Sequence, residues 1–265
     1  MLLKILGRGW LVASFGFLLA PILVVVGASF TSGSLLTFPP EGFSFRWYQE
    51  IVGDEKWMAG LTTSLNLAFV SALGSTAAAT AAALGIRRLR RGGTATGFLL
   101  TLPLAVPKVA VGLALLGLVV AFALNGTMSG LMTAHLIITM PYAFVAVSAG
   151  VAQLDRFQEE ASRTLGAGPV RTFVMVTLPQ LAPGIAAAFL FSTIVSFQEV
   201  SVTLFLVGPG TNTLPVRMFS HILDSADPAV ASISALVVIA TYVLLALFVV
   251  VTRRREAAGR KGVAL

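Results

Sequence analysis

The sequence predicts an all-α, polytopic membrane protein with six transmembrane helices. Two observations carry this. Of its 265 residues, 57% are hydrophobic and 11% charged, with a mean hydropathy of +0.92; a soluble domain could not hide so much apolar surface, and a bilayer supplies the burial. The apolar residues also fall in six runs, each near the ~20 residues that a spanning helix needs, with none of the ten-residue alternation of a membrane barrel.

The first run, Trp10–Phe30, follows Lys4 and Arg8. It has the length of a full span and no A-x-A-like site after it, so it reads as an uncleaved helix, with a kink expected at Pro21. A net acidic loop, Thr31–Trp57, carries Phe38-Pro39-Pro40-Glu41-Gly42 and the rings of Phe45, Trp47 and Tyr48. Those rings are expected at the membrane surface. The second run, Met58–Ile86, exceeds the hydrocarbon thickness, so one end projects into water or the helix tilts. Its small residues at Gly74–Ala83 allow close helix packing.

The third run, Phe98–Leu124, contains Pro103, Pro107 and Lys108. The prolines favour a broken helix, and Lys108 lies ~15 Å into the span, near the middle of the bilayer. The fourth, Met128–Val151, holds His135 and Thr139 one turn apart, a pattern suited to hydrogen bonds between helices. The fifth, Leu181–Val207, places Ser192, Ser196, Glu199 and Thr203 at i, i+4, i+7 and i+11, a polar stripe that reads as a pathway-lining face. The sixth is Ala229–Val251. The chain divides into a first helix with its outer loop (1–57), a membrane core (58–252) with a polar loop at 153–180, and a basic tail (253–265).

Basic residues set the orientation. With both termini inside the cell, the inner side holds fourteen of the eighteen Lys and Arg: Lys4, Arg8, Arg87, Arg88, Arg90, Arg91, Arg156, Arg163, Arg171, Arg253, Arg254, Arg255, Arg260 and Lys261. The outer side holds Arg46, Lys56 and Arg217. This asymmetry is the positive-inside pattern, giving N-in and C-in. It also accounts for the net charge of +7 without nucleic acid.

Several chemistries are excluded. There is no cysteine for disulfides or thiol catalysis. The four lysines precede Ile, Trp, Val and Gly, so no Walker A motif exists and the chain hydrolyses no ATP. An intramembrane hydrolase finds neither a Gly-x-Ser-x-Gly elbow nor paired aspartates within spans. No catalytic or metal-ligating set emerges. A self-contained channel or secondary transporter is compatible with the spans but leaves one segment unexplained.

That segment is the inner loop from Glu159 to Gly184. From Asp155 to Arg171 its charges sum to zero, too polar to insert and too balanced for a lipid-binding basic helix. Asp155 can cap a helix running through Leu165, broken by Gly166, Gly168 and Pro169. A second short helix is expected from about Val170, and Leu178-Pro179 opens the fifth span. The spacing Glu160-Ala161-Ser162, three residues, Gly166, nine residues, Val176, one residue, Leu178-Pro179 resembles the EAA loop of bacterial ABC importer permeases. It departs from that pattern at Ser162, where the family has Ala, and at Val176, where it has Ile.

The stretches Phe197-Gln198-Glu199-Val200, Val207-Gly208-Pro209-Gly210, Thr213-Leu214-Pro215 and Asp227-Pro228 resemble the spermidine/putrescine-type branch. The resemblance implies the type I ABC importer permease fold in a bacterial inner membrane. It implies a dimer of ATPase subunits that carries ATP and Mg, a second permease, expected to be a different chain, and a periplasmic solute-binding protein. It makes the loop a coupling helix, with Glu159, Glu160, Ala161, Gly166, Leu178 and Pro179 as the ATPase-coupling residues. Lys108, Ser192, Ser196, Glu199 and Thr203 are the candidate pathway residues, with Lys108 and Glu199 open to a structural pairing. The branch tends to carry an acid near the position of Lys108. The branch resemblance implies a polyamine-like cargo, but a cation at Lys108 would repel a polyamine and favours a zwitterionic or anionic solute.

Overall fold

The computed structural model describes residues 2–89, 92–225 and 227–262, and all regular structure among them is helical. Arg90 and Arg91, counted above for orientation, lie outside the described residues, as do the side chains of Lys4 and of the basic tail. The helices are α1 (Leu2–Ala28), α2 (Arg46–Gly53), α3 (Glu55–Arg88), α4 (Gly93–Thr101), α5 (Lys108–Ala121), α6 (Met128–Ala152), α7 (Arg156–Thr164), α8 (Pro169–Thr172), α9 (Leu178–Phe197), α10 (Leu214–Asp224) and α11 (Ala229–Gly262).

Five stretches are long and apolar enough to span a membrane: Arg8–Ala28, Glu55–Arg88, Met128–Ala152, Pro169–Phe197 and Ala229–Val250. A bent pair, Gly93–Ala105 and Lys108–Ala121, which meet at 104°, brings the number to six when counted as one broken span. The bend follows from Pro103 and Pro107. A 3-10 turn covers Leu102–Ala105, and Pro107 is held extended, with ψ 131, so Lys108 opens a new helix.

Two boundaries differ from the sequence expectation. The fifth span does not begin at Leu178-Pro179: helix runs without interruption from Pro169, through a π turn at Phe173–Thr177, into α9. The wider π turn accommodates Pro179, which has no N–H to give to the preceding turn. Nor does that span reach Val207. It ends at Phe197, and Glu199 lies in the turn beyond, before a 3-10 turn at Thr203–Phe205. Ser192, Ser196, Glu199 and Thr203 therefore do not share one continuous helical face.

The chain forms two compact units. In the unit of residues 59–216, α6 packs along α9, where Gly150 and Gly184 bring the backbones together: a Cβ on Gly150 would sit 3.6 Å from the Gly184 Cα. Ala79, Ala83, Ala143, Val147, Leu181 and Ala188 fill one buried cluster, and Leu67, Leu115, Val119, Leu131, Val202 and Leu206 a second. The second cluster holds α5 and the segment after α9 together, which fixes the ion pair described below.

In the unit of residues 1–58 and 217–265, α1 and α2 pack on α11, and Ser232 Oγ donates to the Ser29 carbonyl at 2.9 Å. Here Trp47 is buried and its Nε1 donates to the Gly33 carbonyl at 3.2 Å, while the Tyr48 and Ser29 hydroxyls lie 2.6 Å apart. Trp47 thus serves as core for the outer loop, not as a membrane-surface ring; Phe45 stays exposed.

Candidate functional site

The polar loop folds into a compact knob. The Asp155 carboxylate accepts the Phe157 N–H at 2.9 Å and caps α7. Gly166 ends the turn with φ +86, a left-handed conformation that glycine adopts at little cost, and its N–H donates to the Arg163 carbonyl at 2.9 Å. The Ser162 and Thr172 hydroxyls lie 3.3 Å apart and join α7 to α8. Gln180 on α9 donates to the Gln158 side chain at 3.1 Å.

The two adjacent glutamates part company. Glu159 turns inward, where its Oε1 accepts from the Arg87 guanidinium at 2.9 Å and from the Thr177 hydroxyl at 2.8 Å. The two charged side chains are 16% and 18% exposed. Burial alone would raise the Glu159 pKa. The hydrogen bonds from Arg87 and Thr177, with the charges of Arg87 and Arg163, outweigh it and hold the carboxyl below its ordinary value. Glu159 thereby ties the knob to the end of α3 and to the π turn that leads into α9.

Glu160 and Ala161 face outward. Phe157, Ala161 and Leu165, at i, i+4 and i+8, form an exposed stripe in which Leu165 is 88% accessible, with exposed Val170 beyond it. Leu178 and Pro179 lie on the surface of the continuous helix. An open cavity of about 890 Å³ adjoins the knob, lined by Arg87, Arg88, Arg156, Arg163 and both glutamates.

The second cluster lies at the break before α5. Lys108 Nζ donates to Glu199 Oε2 at 2.7 Å, and Glu199 Oε1 accepts the Val202 N–H at 3.0 Å. The lysine side chain is 55% exposed and the glutamate 1%. Beneath the pair, His135 on α6 joins two other predicted residues: Nδ1 lies 2.8 Å from Ser196 Oγ, and Nε2 lies 3.0 Å from Thr203 Oγ1. Thr203 donates to the Glu199 carbonyl at 3.0 Å, so it must accept from His135. That places a proton on Nε2, while Nδ1 shares the other hydrogen bond with the Ser196 hydroxyl. Ser192 is fully buried, and its hydroxyl has no partner among the described residues.

Sequence reasoning reached Lys108, Glu199, Ser196 and Thr203 but left His135 and Arg87 outside the site. The signals that could have included them are a titratable ring within a span and an arginine at a span end on the same side as an acidic loop.

Apolar spans, a polar knob and a mid-chain ion pair characterise a multi-pass membrane protein. Comparison with known proteins gives the family. Residues 72–257 match the family described as binding-protein-dependent transport system inner membrane component, and the chain belongs to it. It is 34% identical over 235 residues to the putrescine transport system permease protein PotI of Escherichia coli K12, covering 86% of this chain and 83% of that one. It is 31% identical over 241 residues to the putative 2-aminoethylphosphonate transport system permease protein PhnV of Salmonella typhimurium LT2, covering 86% of each. A bacterial alginate ABC transporter, solved in complex with an alginate pentasaccharide-bound periplasmic protein, shares the fold at a TM-score of 0.69 and 16% identity, over 96% of this chain and 94% of that one. The type I importer permease fold expected from the sequence is the observed one.

Proposed function

We propose that this chain is the permease half of an ATP-driven importer for a small polar solute in a bacterial inner membrane, and that the knob is where a separate ATPase dimer drives it. One observation carries the reading. The knob presents Phe157, Glu160, Ala161 and Leu165 outward, while its other side is tied down by Glu159, Ser162 and Gln158. A surface that is rigid behind and exposed in front suits transmission of a push.

Glu160 is the charged anchor for a basic partner, and Ala161 leaves room for close approach. ATP and Mg bind the ATPase, not this chain. A push on the knob reaches α3 through Arg87–Glu159 and α9 through the continuous helix from Pro169, so the bundle moves at two points. A second, different permease completes the pathway, and a periplasmic solute-binding protein delivers cargo; the family's description as binding-protein-dependent supports the second of these. Lys108 faces the pathway with Glu199 behind it, and Ser192, Ser196 and Thr203 form the supporting wall. The named relatives suggest amine-bearing cargo, putrescine for one and 2-aminoethylphosphonate for the other.

The test is co-purification of the ATPase subunit. Wild-type chain should retain it, and Glu160→Lys with Leu165→Arg should lose it at unchanged membrane level. Retention by that variant would refute the docking assignment.

A further inference from the structure

We propose that the Lys108–Glu199 pair is a recognition site for an acidic group on the solute, a carboxylate or phosphonate, and that it disfavours a purely cationic solute. The inference rests on the importer reading above and deepens it. It comes from the unequal exposure of the two charges. Both Glu199 oxygens are engaged inside the protein, Oε2 by Lys108 and Oε1 by the Val202 N–H, with the side chain 1% exposed. The carboxylate therefore offers a passing cation no accessible oxygen.

Lys108 is the opposite case. Its side chain is 55% exposed, and Glu199 takes one of the three N–H groups of its ammonium. The other two have no acceptor among the described residues. The adjoining cavity, about 60 Å³, is lined by Leu104, Val106, Val111, Ile138 and Tyr142 besides the pair, so its only carboxylate is the enclosed one. What a solute meets here is a half-free ammonium in apolar surroundings, where an oxyanion gains a charge-assisted hydrogen bond and a second ammonium is repelled. Glu199 aims Lys108 without competing for the solute.

The competing role is purely structural, with the pair only clamping α5 to the turn after α9. Neutral replacement of both partners separates the two. Lys108→Met with Glu199→Gln leaves no buried charge, and the new amide oxygen can still accept from Val202. A clamp survives that exchange; an anion site does not.

The experiment uses the whole transporter, with its ATPase, companion permease and binding protein, in proteoliposomes. The probes are radiolabelled 2-aminoethylphosphonate, glutamate and putrescine. The expected result is ATP-dependent uptake of an acid-bearing probe, reduced at least tenfold in Lys108→Met and equally in the double variant. Lys108→Arg should stay within threefold of wild type. ATP-dependent uptake of putrescine alone, or a double variant at the wild-type rate, overturns the inference and leaves the importer reading standing. If no probe moves with ATP and none stimulates hydrolysis, the importer reading falls with it.

Discussion

Glu159→Gln should loosen the knob without unfolding the chain. The substitution keeps the shape and one acceptor oxygen but removes the charge that meets Arg87 at 2.9 Å. Exposed ion pairs contribute about 0.2–1 kcal/mol, and breaking a fully buried one costs about 3–5 kcal/mol. At 16% and 18% exposure this pair lies between, at about 2 kcal/mol. Since 1.4 kcal/mol is tenfold in an equilibrium constant, the local opening of α7 should rise by about 30-fold. Hydrogen exchange of the amides of 156–164, in lipid nanodiscs, reads that opening directly. Amides of α6 serve as the internal control, and their protection should not change.

The pH dependence has a defined sign. The folded pKa of Glu159 is depressed, so its stabilisation is present above the ordinary value of about 4.3 and is lost as pH falls through the lowered folded value. Wild type should therefore converge on Glu159→Gln at acid pH, while the variant's exchange lacks that transition. Exchange at 156–164 within twofold of wild type at neutral pH would refute the latch.

Gly166→Trp should insert normally and abolish transport: open space surrounds the position, but φ +86 costs a non-glycine residue about 1–2 kcal/mol and reshapes the turn. Uptake assays with membrane levels measured in parallel check this. Gly208→Ala should lower the melting temperature, because its Cβ would fall 2.6 Å from the Gly126 Cα and 2.8 Å from the Gly126 carbonyl oxygen, both backbone atoms that cannot swing aside. Overpacking of this kind costs about 1–3 kcal/mol, and an unchanged melt in detergent would contradict it. His135→Ala should destabilise the contact of α6 with the end of α9 by about 2–5 kcal/mol, from a cavity and a stranded Ser196 hydroxyl, read in the same melt.

The spans were legible because long apolar runs have few alternatives in a bilayer, and the break at Pro103 and Pro107 was legible because proline acts locally. The end of the fifth span was not. Val200–Val207 stays largely apolar after the helix stops, and hydropathy cannot distinguish an apolar turn packed on α5 from one more helical turn. The start was misplaced for a related reason: a π turn leaves no mark in composition, so Leu178-Pro179 looked like a beginning. Neighbouring helix residues point about 100° apart, and only the position of Arg87, some seventy residues away in sequence, decides that Glu159 turns in and Glu160 out. Trp47 looked like a membrane-surface ring because its burial depends on the path of its own loop.

The proposed function requires the knob to be cytosolic and to be seized by a separate ATPase. The chain has no cysteine, so Leu165→Cys provides one unique label at a position of the knob that is 88% exposed. In sealed vesicles of known orientation, an impermeant maleimide should reach that residue only from the cytosolic face, and the assembled ATPase subunit should protect it. Labelling from the opposite face, or labelling that the ATPase leaves unchanged, would contradict the account.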